Sequence, residues 1–377
     1  MRSTQITRDT ASELVTSRKP VLEPSVCSAG SWSESEPSMR GLFRQVHTRA
    51  RTSDLKRHLE NQLSTQFGRR RSIVKLTRRL CPYTSSFRID ELDVQLEDGA
   101  RMQLVLKDLS AEAMLENARA RPAFLYEPRR EIQAHCSILP HGPAGTAAWY
   151  GAVTDPSAGR YWLFLERVRG LELRHVGTFS TWERTARWIG RFHRSFSPAR
   201  VRQLARQSTV LVYDEDFYWR WLDRAQSFGR RRLATRRILD RIARSYRFVI
   251  KRLSDLPRTL IHGEFYPCNV LICADGRAVR VCPVDWEMAA LGPGLMDLAC
   301  LTTGWSACKQ RALARAYAGT ALDSDCNTEN GLVDLDCCRL HLAIKMLGWS
   351  ANWAPPPQHA HDWLAEAADI SERIRLS

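Results

Sequence analysis

The sequence lacks several features that would place the protein in other classes. No apolar run approaches the roughly 20 residues that a membrane-spanning helix needs. The N-terminus has no apolar core of a signal peptide, so we expect a cytoplasmic protein without a membrane partner. The eleven cysteines are odd in number and form no CxxC pair. This pattern is typical of reduced thiols and excludes a disulfide scaffold or a zinc ribbon.

Acidic residues are scarce relative to basic ones, with 41 Asp and Glu against 56 Lys and Arg and a net charge of +15. The excess is uneven: from Arg200 to Arg258 there are sixteen basic and six acidic residues, whereas Trp305 to Ser377 holds seven and nine. Neighbouring arginines at helical spacing, such as Arg236 and Arg237, most often mark a solvated helix face. Attraction for an anionic partner is the alternative. Because the chain lacks the aromatic and basic interleaving of nucleic-acid readers, we do not expect a nucleic-acid partner.

The chain is long enough for a sizeable core, with 377 residues of which 44% are hydrophobic. Residues 1–70 differ from the rest, because Ser, Thr, Arg and Glu dominate and apolar periodicity is weak. We expect this extension to be disordered, apart from a helix that could form around Ser53 to Gln66. Acidic residues such as Glu13 and Glu34 argue against a transit peptide.

One stretch carries oxygen-bearing side chains at a spacing that suits phosphate chemistry. An apolar strand beginning at Leu260 leads to Glu264, Asn269 opens the next strand, and Asp285 follows a third strand. Phosphoryl transfer needs a group that orients the attacking hydroxyl and hard oxygen ligands that hold Mg²⁺ on the phosphates. Two adjacent hairpin ends would bring these three side chains together. A structural hairpin whose polar groups satisfy the backbone is the alternative.

The segments HGEFYPCN and VDWE resemble the catalytic loop and the metal-binding segment of the aminoglycoside phosphotransferase and choline kinase family. The resemblance implies an α+β, protein-kinase-like fold with a small antiparallel-sheet N-lobe and a larger, mainly helical C-lobe. It implies an O-phosphotransferase that uses ATP and Mg²⁺ to modify a small hydroxylated molecule, such as an aminoglycoside, a sugar or an amino alcohol. In this reading Glu264 is catalytic, Asn269 and Asp285 bind the metal, and His262 supports the loop.

One residue departs from the family pattern, since most members carry Asp where this chain has Glu264. The extra methylene moves the carboxylate outward by about 1.5 Å, the length of one carbon–carbon bond. The carboxylate can still serve as an acid or base if the loop lies slightly farther from the acceptor. A kinase-like protein that binds nucleotide and catalyses weakly is therefore an alternative, and a basic nucleic-acid-binding protein is a second one.

A kinase-like fold also requires a strand-borne Lys that holds the nucleotide phosphates and a helical Glu that pairs with it. Lys107 ends the apolar run Leu104-Val105-Leu106 in the second of two strands joined at Asp98-Gly99. Glu131 lies in a helix that begins near Glu127, with Pro128 in its first turn. A lone Lys on a strand is otherwise a solvated edge residue. The order of the segments favours the pair Lys107 and Glu131.

Two further segments are assigned to the nucleotide by the resemblance. Ser85 and Ser86 lie between two β-like stretches, where a hairpin could cover the phosphates, although an ordinary surface turn suits them equally well. Glu166 and Val168 follow an apolar strand in the position of the hinge between lobes, where the Glu166 carbonyl and the Val168 amide would bind the adenine edge. A plain core strand ending at a turn is compatible with the same residues.

A third segment is assigned a supporting role. Asp297, in a Gly-rich segment at a predicted helix start, resembles the family's carboxylate that ties back to the catalytic loop. His193, on an apolar helix face, is expected to be a core residue rather than a catalyst.

These assignments divide the chain into three predicted parts. Residues 1–70 form the extension, residues 71–165 the N-lobe with the Lys strand, and residues 166–377 the C-lobe with the catalytic loop and the acceptor pocket. The expected partners are a nucleotide and a small-molecule acceptor, whose identity the sequence leaves open. Acidic residues could receive a polycation, and tryptophans could line its pocket or pack the core: Asp323, Asp325, Glu329, Asp334, Asp336, Trp349, Trp353 and Trp363.

Overall fold

The computed structural model describes residues 51–82, 86–230, 232–275, 278–320, 328–349 and 361–376. The sheet region (residues 52–166) is built on one antiparallel five-stranded sheet with the order β1-β2-β3-β5-β4. The second strand of this sheet alternates buried and partly buried side chains, as half-buried strands do. The elements of the sheet region are α1 (Thr52–Phe67), β1 (Ile73–Leu80), β2 (Arg88–Leu96), β3 (Arg101–Asp108), α2 (Arg129–Gln133), β4 (Trp149–Asp155) and β5 (Arg160–Glu166).

Lys107 lies on β3, the central strand of this sheet. It is in register with Ile89 on β2 and with Leu163 on β5. The two strands that the sequence predicted on either side of Asp98-Gly99 are present as β2 and β3. A residue on a central strand has a backbone hydrogen-bonded on both sides, so the position of Lys107 is rigidly defined.

The helix α1 lies within residues 1–70, which were expected to be disordered apart from a helix around Ser53 to Gln66. Its residues Leu55, Leu59 and Leu63 repeat every four positions and are fully buried against the sheet. Burying one leucine stabilises a fold by roughly 1.5–3 kcal/mol, which explains why this segment is ordered. The helix matches the one expected around Ser53 to Gln66, and it belongs with the sheet region; residues 1–50 lie outside the described residues.

The helical region (residues 171–376) contains most of the remaining chain and the largest apolar core. The predicted architecture, a small antiparallel sheet followed by a larger helical part, is confirmed. Its helices are α3 (Phe179–Arg194), α4 (Pro198–Gln207), α5 (Glu215–Gly229), α6 (Leu233–Asp255), α7 (Leu295–Thr302), α8 (Ala307–Ala318), α9 (Glu329–Leu347) and α10 (Trp363–Leu376).

Two small three-stranded sheets frame the segment that carries the candidate catalytic residues. One has the order β10-β9-β6, and the other has the order β7-β11-β8. The loop from residue 262 to residue 269 connects β8 to β9, and Asp285 follows β10. The strands are β6 (Leu171–Glu172), β7 (Leu211–Val212), β8 (Arg258–Ile261), β9 (Val270–Asp275), β10 (Ala278–Pro283) and β11 (Ala290–Pro293).

Part of the arginine-rich segment from Arg200 to Arg258 forms the amphipathic helix α6. Its apolar side buries residues such as Leu239, Ile242 and Tyr246, while Arg236 and Arg237 are exposed. This distribution fits the solvated face that the spacing predicted. Within the part of the chain that the structure describes, none of the helices is both long enough and apolar enough to cross a bilayer.

Candidate active site

Lys107 lies where the sheet region meets the helical region, and it is paired with two carboxylates. Its Nζ is 2.6 Å from Glu131 Oε2 and also contacts Asp285 Oδ1. Lys107 and Asp285 are 178 positions apart in the chain, so only the fold can bring them together. Glu131 Oε1 accepts a further hydrogen bond from Trp286 N at 3.2 Å. We call Lys107, Glu131 and Asp285 the lysine triad.

Burial and charge act against each other in the lysine triad. Burial alone would lower the pKa of Lys107, but the charges of Asp285 and Glu131 raise it, so the ammonium stays charged. Burial raises the pKa of Glu131 to about 7, although the positive charge of Lys107 acts to lower it. Burial would also raise the pKa of Asp285, but Lys107 outweighs it and the pKa is lowered. A cation shared by one buried and one partly exposed carboxylate is an arrangement that a dianionic phosphate could enter by replacing one of them.

Asp285 has an unusual backbone conformation. Its φ is 67° and its ψ is 64°, and it is the one non-glycine residue with positive φ in the described ranges. Residues other than glycine enter this left-handed region at a cost of roughly 1 kcal/mol, and Asp and Asn do so most readily. The turn lifts the carboxylate out of the direction of β10 and towards Lys107. The outlier therefore coincides with the position that the sequence assigned to the metal.

The loop after β8 is held by Asp297 from α7. The Asp297 carboxylate accepts hydrogen bonds from His262 N at 2.7 Å and from Gly263 N at 2.9 Å. It also contacts His193 Nε2 at 3.1 Å, and all of these groups are buried. The carboxylate thus points at the loop rather than at the amides of its own helix.

Gly263 and His262 give this loop its shape. Gly263 has a φ of 81°, and a Cβ there would lie 2.3 Å from the carbonyl oxygen of Met288, so only glycine fits. His262 is fully buried, and burial lowers its pKa. The neutral ring donates from Nε2 to the carbonyl of Val284 at 2.9 Å and accepts from Glu264 N at 3.4 Å. His262 therefore links the loop of Glu264 to the segment that precedes Asp285.

Glu264 and Asn269 lie at the two ends of this loop. Asn269 Nδ2 donates to the Glu264 carbonyl at 3.0 Å, which leaves the oxygen of the amide as the end that can face a cation. The Glu264 side chain is mostly buried, and its Oε1 is 3.3 Å from Lys345 Nζ. Burial raises the pKa of Glu264, although the charge of Lys345 opposes the shift. A carboxylate with a raised pKa is suited to accept a proton.

Asn269 and Asp285 offer the donor chemistry that Mg²⁺ prefers, an amide oxygen and a carboxylate. Among the residues that the structure describes, no group of three or more His, Cys, Asp and Glu could hold a metal ion by itself. Mg²⁺ usually takes one or two protein ligands and completes its shell with phosphate oxygens and water. The two residues therefore fit a magnesium ion that arrives with a nucleotide.

Sequence reasoning missed two arginines that cross between the regions. Arg121 makes a bidentate pair with Glu287, at 3.1 and 2.9 Å, and both side chains are buried. Arg130 donates to the carbonyls of Leu125 and Glu287 at 2.9 and 2.8 Å, and burial lowers its pKa to about 10. The sequence marks Glu287 as a candidate site residue, because it is the last residue of VDWE. No local pattern distinguishes Arg121 from a surface residue.

Lys345 was also missed, although it left a trace in the sequence. It stands in the apolar run Leu342-Ala343-Ile344-Lys345-Met346 of α9 and is 1% exposed. A lone charge inside an apolar helical stretch indicates a buried ion pair. The carboxylate that it meets could not be named, because it lies 81 positions earlier in the chain.

The other nucleotide candidates in the described residues contact residues outside the lysine triad. Ser86 lies in the connection between β1 and β2, where its carbonyl accepts from Leu115 N at 3.0 Å. Ser85 lies outside the described residues. The Glu166 side chain is paired with Arg280 at 2.7 and 2.8 Å. Val168 packs on an apolar cluster with Leu271 and Val284 from the helical region. The hinge segment therefore lies beside β9 and β10, next to the site.

The described acidic residues and tryptophans that were considered for the acceptor pocket mostly form ion pairs or pack in the core. Asp334 is paired with Arg252 at 2.7 Å, and Asp336 contacts Arg339 and Arg373. Trp349 stacks on Trp221 with ring centroids 5.9 Å apart. Glu329 lies in the first turn of α9, and Trp363, which begins α10, is buried in the core. Asp323, Asp325 and Trp353 lie outside the described residues.

Comparison with known proteins identifies related sequences and structures. The sequence profile described as the phosphotransferase enzyme family matches residues 94–329. No curated protein matches the chain. The structure of the GDP complex of wild-type aminoglycoside 2′-phosphotransferase-IIIa is similar over 85% of this chain and 98% of that one, with 14% identity and a TM-score of 0.51.

Two further structures share the fold. A microcompartment-associated aminopropanol kinase is 13% identical over 80% of this chain and 93% of its own, with a TM-score of 0.55. An ethanolamine kinase from Plasmodium vivax is 11% identical over 78% of this chain and 82% of its own, with a TM-score of 0.53. These likenesses confirm the kinase-like two-lobe fold.

Proposed function

The chain belongs to the phosphotransferase enzyme family, and from that premise we propose that it transfers the terminal phosphoryl group of ATP to a hydroxyl group of a small molecule. Family membership makes it a phosphotransferase enzyme. The choice of ATP, the use of Mg²⁺ and the residues that do the chemistry are the proposal. The observation that carries it is the lysine triad, in which a strand-borne ammonium meets carboxylates from two other segments.

Lys107 is proposed to bind the nucleotide phosphates, and Glu131 to hold Lys107 in place. Nucleotide would enter by exchanging the contact between Lys107 and Asp285 for a contact between Lys107 and phosphate oxygens. The Glu131 contact, at 2.6 Å and with Glu131 only 2% exposed, would keep the ammonium aimed at the phosphates. The apolar cluster that contains Val168 and Leu271 offers a surface for the base next to the hinge.

Asn269 and Asp285 would hold Mg²⁺, which when bound supplies positive charge against the phosphate oxygens. Glu264 is proposed to accept the proton of the acceptor hydroxyl. The acceptor oxygen forms a bond to the terminal phosphorus, the bond from that phosphorus to the bridging oxygen breaks, and nucleoside diphosphate leaves. Asp297 and His262 keep the loop of Glu264 in place through buried hydrogen bonds, since a displacement of about 1 Å can cost 10²-fold in rate.

The proposal extends to the division of the chain. We place the boundary between the lobes after β5, at residue 166, and we start the N-terminal lobe at α1 rather than at residue 71. The cross-region contacts of Lys107 and Arg121 support a site between the lobes. A cytoplasmic location remains part of the proposal.

The acceptor is best found by a direct screen. Consumption of ATP and of GTP should be measured with Mg²⁺ against amino sugars, nucleosides, choline-like alcohols and sugars, with Glu264→Gln as the matched control. We expect one acceptor class to stimulate consumption in the wild type and to have little effect in the variant. If Mg²⁺ and nucleotide raise the melting temperature while no acceptor is phosphorylated, the protein is a nucleotide-binding relative without catalysis, and the proposal fails.

A further inference from the structure

Lys345 is a buried cation that the proposed chemistry leaves unused. It is 1% exposed on α9 and is surrounded in the chain by buried apolar residues such as Leu342 and Ile344. An ammonium group is costly to bury unless it is paired and hydrogen-bonded. The contacts that offset this cost therefore indicate what the residue does.

Within the described residues, Lys345 contacts two oxygen atoms, and both belong to the catalytic loop. Its Nζ donates to the carbonyl of Gly263 at 3.2 Å and lies 3.3 Å from Glu264 Oε1. The ammonium also faces the ring of Trp349, 5.7 Å from its centroid. One cation thus holds both the backbone and the carboxylate at the position where the acceptor hydroxyl is expected.

The other cations of the site have other carboxylates. Lys107 is shared between Glu131 and Asp285, and Arg121 forms its bidentate pair with Glu287. In the described part of the chain, Lys345 is the cation within ion-pair distance of Glu264. The distance of 3.3 Å between Lys345 Nζ and Glu264 Oε1 is longer than the 2.6 Å between Lys107 Nζ and Glu131 Oε2. Glu264 is therefore less closely paired with its lysine than Glu131 is.

Glutamate needs such a contact more than aspartate does. Glu264 has one more rotatable bond than the Asp usual in the family, so its carboxylate can adopt more orientations. Fixing a flexible side chain costs conformational entropy, up to roughly 2 kcal/mol for a glutamate. An ion pair from a rigid helix can supply this restraint.

We propose that Lys345 is a positioning residue, whose ammonium holds the Glu264 carboxylate in the orientation that faces the acceptor hydroxyl. This inference rests on the proposed function. It accounts for a Glu at this position, because a Glu held by an ion pair can accept a proton in a fixed orientation, as a shorter and less mobile Asp would.

The test is a double-mutant cycle on kcat with an acceptor that the enzyme uses. Lys345→Met should lower kcat by about 10- to 100-fold, a loss typical of misplaced acid–base groups, and leave the KM for nucleotide unchanged. In a Glu264→Gln background the same change should have little further effect, because no carboxylate remains to be positioned. Equal losses in both backgrounds, or wild-type kcat in Lys345→Met, would overturn the proposal.

Arg339→Met is the matched control, since Arg339 is a mostly buried cation on the same helix that is paired with Asp336 and Glu366. It should lower the melting temperature and leave kcat unchanged. If Lys345→Met does not fold, Lys345→Gln, which keeps a hydrogen-bond donor without the charge, takes its place with the same expected result.

A second measurement needs no turnover and separates this inference from the proposed function. Crystal structures of the wild type and of Lys345→Met should show Glu264 in one conformation in the first and displaced or divided in the second. An identical, ordered Glu264 in both would overturn the positioning role even if the wild type phosphorylated nothing. Absence of turnover in the wild type would instead count against the proposed function.

Discussion

On the phosphate side of the site, the part proposed to bind phosphate, Lys107 is paired with two carboxylates, one from each region of the molecule. On the acceptor side, the part around Glu264 that is proposed to meet the acceptor, Glu264 is instead paired with one lysine of its own region. The phosphate side joins β3, α2 and the turn after β10. The acceptor side joins the catalytic loop to α9. The comparison teaches that the charges proposed to bind phosphate and metal are held between the two regions, while the carboxylate proposed to meet the acceptor is held within one region.

The largest effect is expected from removing the charge of Asp285. Asp285→Asn keeps the size of the side chain and tolerates the left-handed backbone, so the fold should be preserved. Because a charge positioned at a phosphoryl-transfer site is worth on the order of 10³-fold or more, kcat should fall by at least that factor. Steady-state kinetics and circular dichroism together check this prediction. A folded variant with normal turnover would show that Asp285 does not serve the phosphate side.

How far the sequence predicts this site depends on where the residues lie. Glu264, Asn269 and Asp285 lie within 22 positions, and the turns that place them leave local patterns of glycine, proline and strand residues. Lys107 and Glu131 could be inferred from the order of segments, because each ends or begins a recognisable element. The fold class was implied by the resemblance of HGEFYPCN and VDWE to the family. The pairing of Lys107 with both carboxylates at once could not be inferred, since it depends on how the two regions pack.

The residues that were missed are those whose partners are remote in the chain. Arg121 meets Glu287 at a separation of 166 positions, and Lys345 meets Glu264 at 81. No periodic pattern records such pairs. The helix α1 was expected only in part, because its leucine stripe is short and stands within a polar, basic extension; its order comes from the sheet that covers it.

The second prediction compares the stability of the two sides. Lys107→Met leaves Glu131 buried without its cation, which should cost about 3–5 kcal/mol of unfolding free energy. Lys345→Met should cost less, because Glu264 keeps 18% of its side chain exposed against 2% for Glu131. Urea unfolding of both variants measures the difference. A larger loss for Lys345→Met would reverse the comparison.

A control for this prediction removes both charges of the phosphate side. The double variant Lys107→Met with Glu131→Met replaces the ion pair by apolar side chains of similar length. It should regain much of the stability that Lys107→Met loses, since no uncompensated charge stays buried. It should remain inactive.

The third prediction concerns acid stability and a histidine on α9. His341 is fully buried, its Nδ1 is 2.8 Å from the Tyr246 hydroxyl, and burial lowers its pKa to about 3. The unfolded chain binds this proton below pH 6.5 and the folded chain does not, so stability is full above pH 6.5 and is lost as the pH falls towards 3. The slope is at most about 1.4 kcal/mol per pH unit for one group.

The matched variant is His341→Asn, which keeps a polar partner for Tyr246 and does not titrate. Unfolding free energies measured between pH 7 and pH 4 should fall less steeply in this variant than in the wild type. Parallel slopes would show that His341 is protonated in the folded protein.

The smallest effect is expected away from both sides of the site. Arg236 is 62% exposed on α6 and pairs with Asp240, which is 46% exposed. Because exposed pairs contribute little, Arg236→Gln should change the unfolding free energy by less than about 0.5 kcal/mol and leave kcat unchanged. A marked loss of activity would indicate that α6 takes part in function and would refute its description as a solvated face.

Calorimetric titration of ATP, with and without Mg²⁺, tests most directly whether Lys107 and Asp285 form a nucleotide and metal site. The wild type should bind ATP more tightly with Mg²⁺ than without it. Asp285→Asn should bind ATP about equally in both conditions, because the carboxylate ligand is missing while Lys107 remains. If Mg²⁺ tightens binding to the same extent in the variant, or if the wild type binds no nucleotide, the account is contradicted.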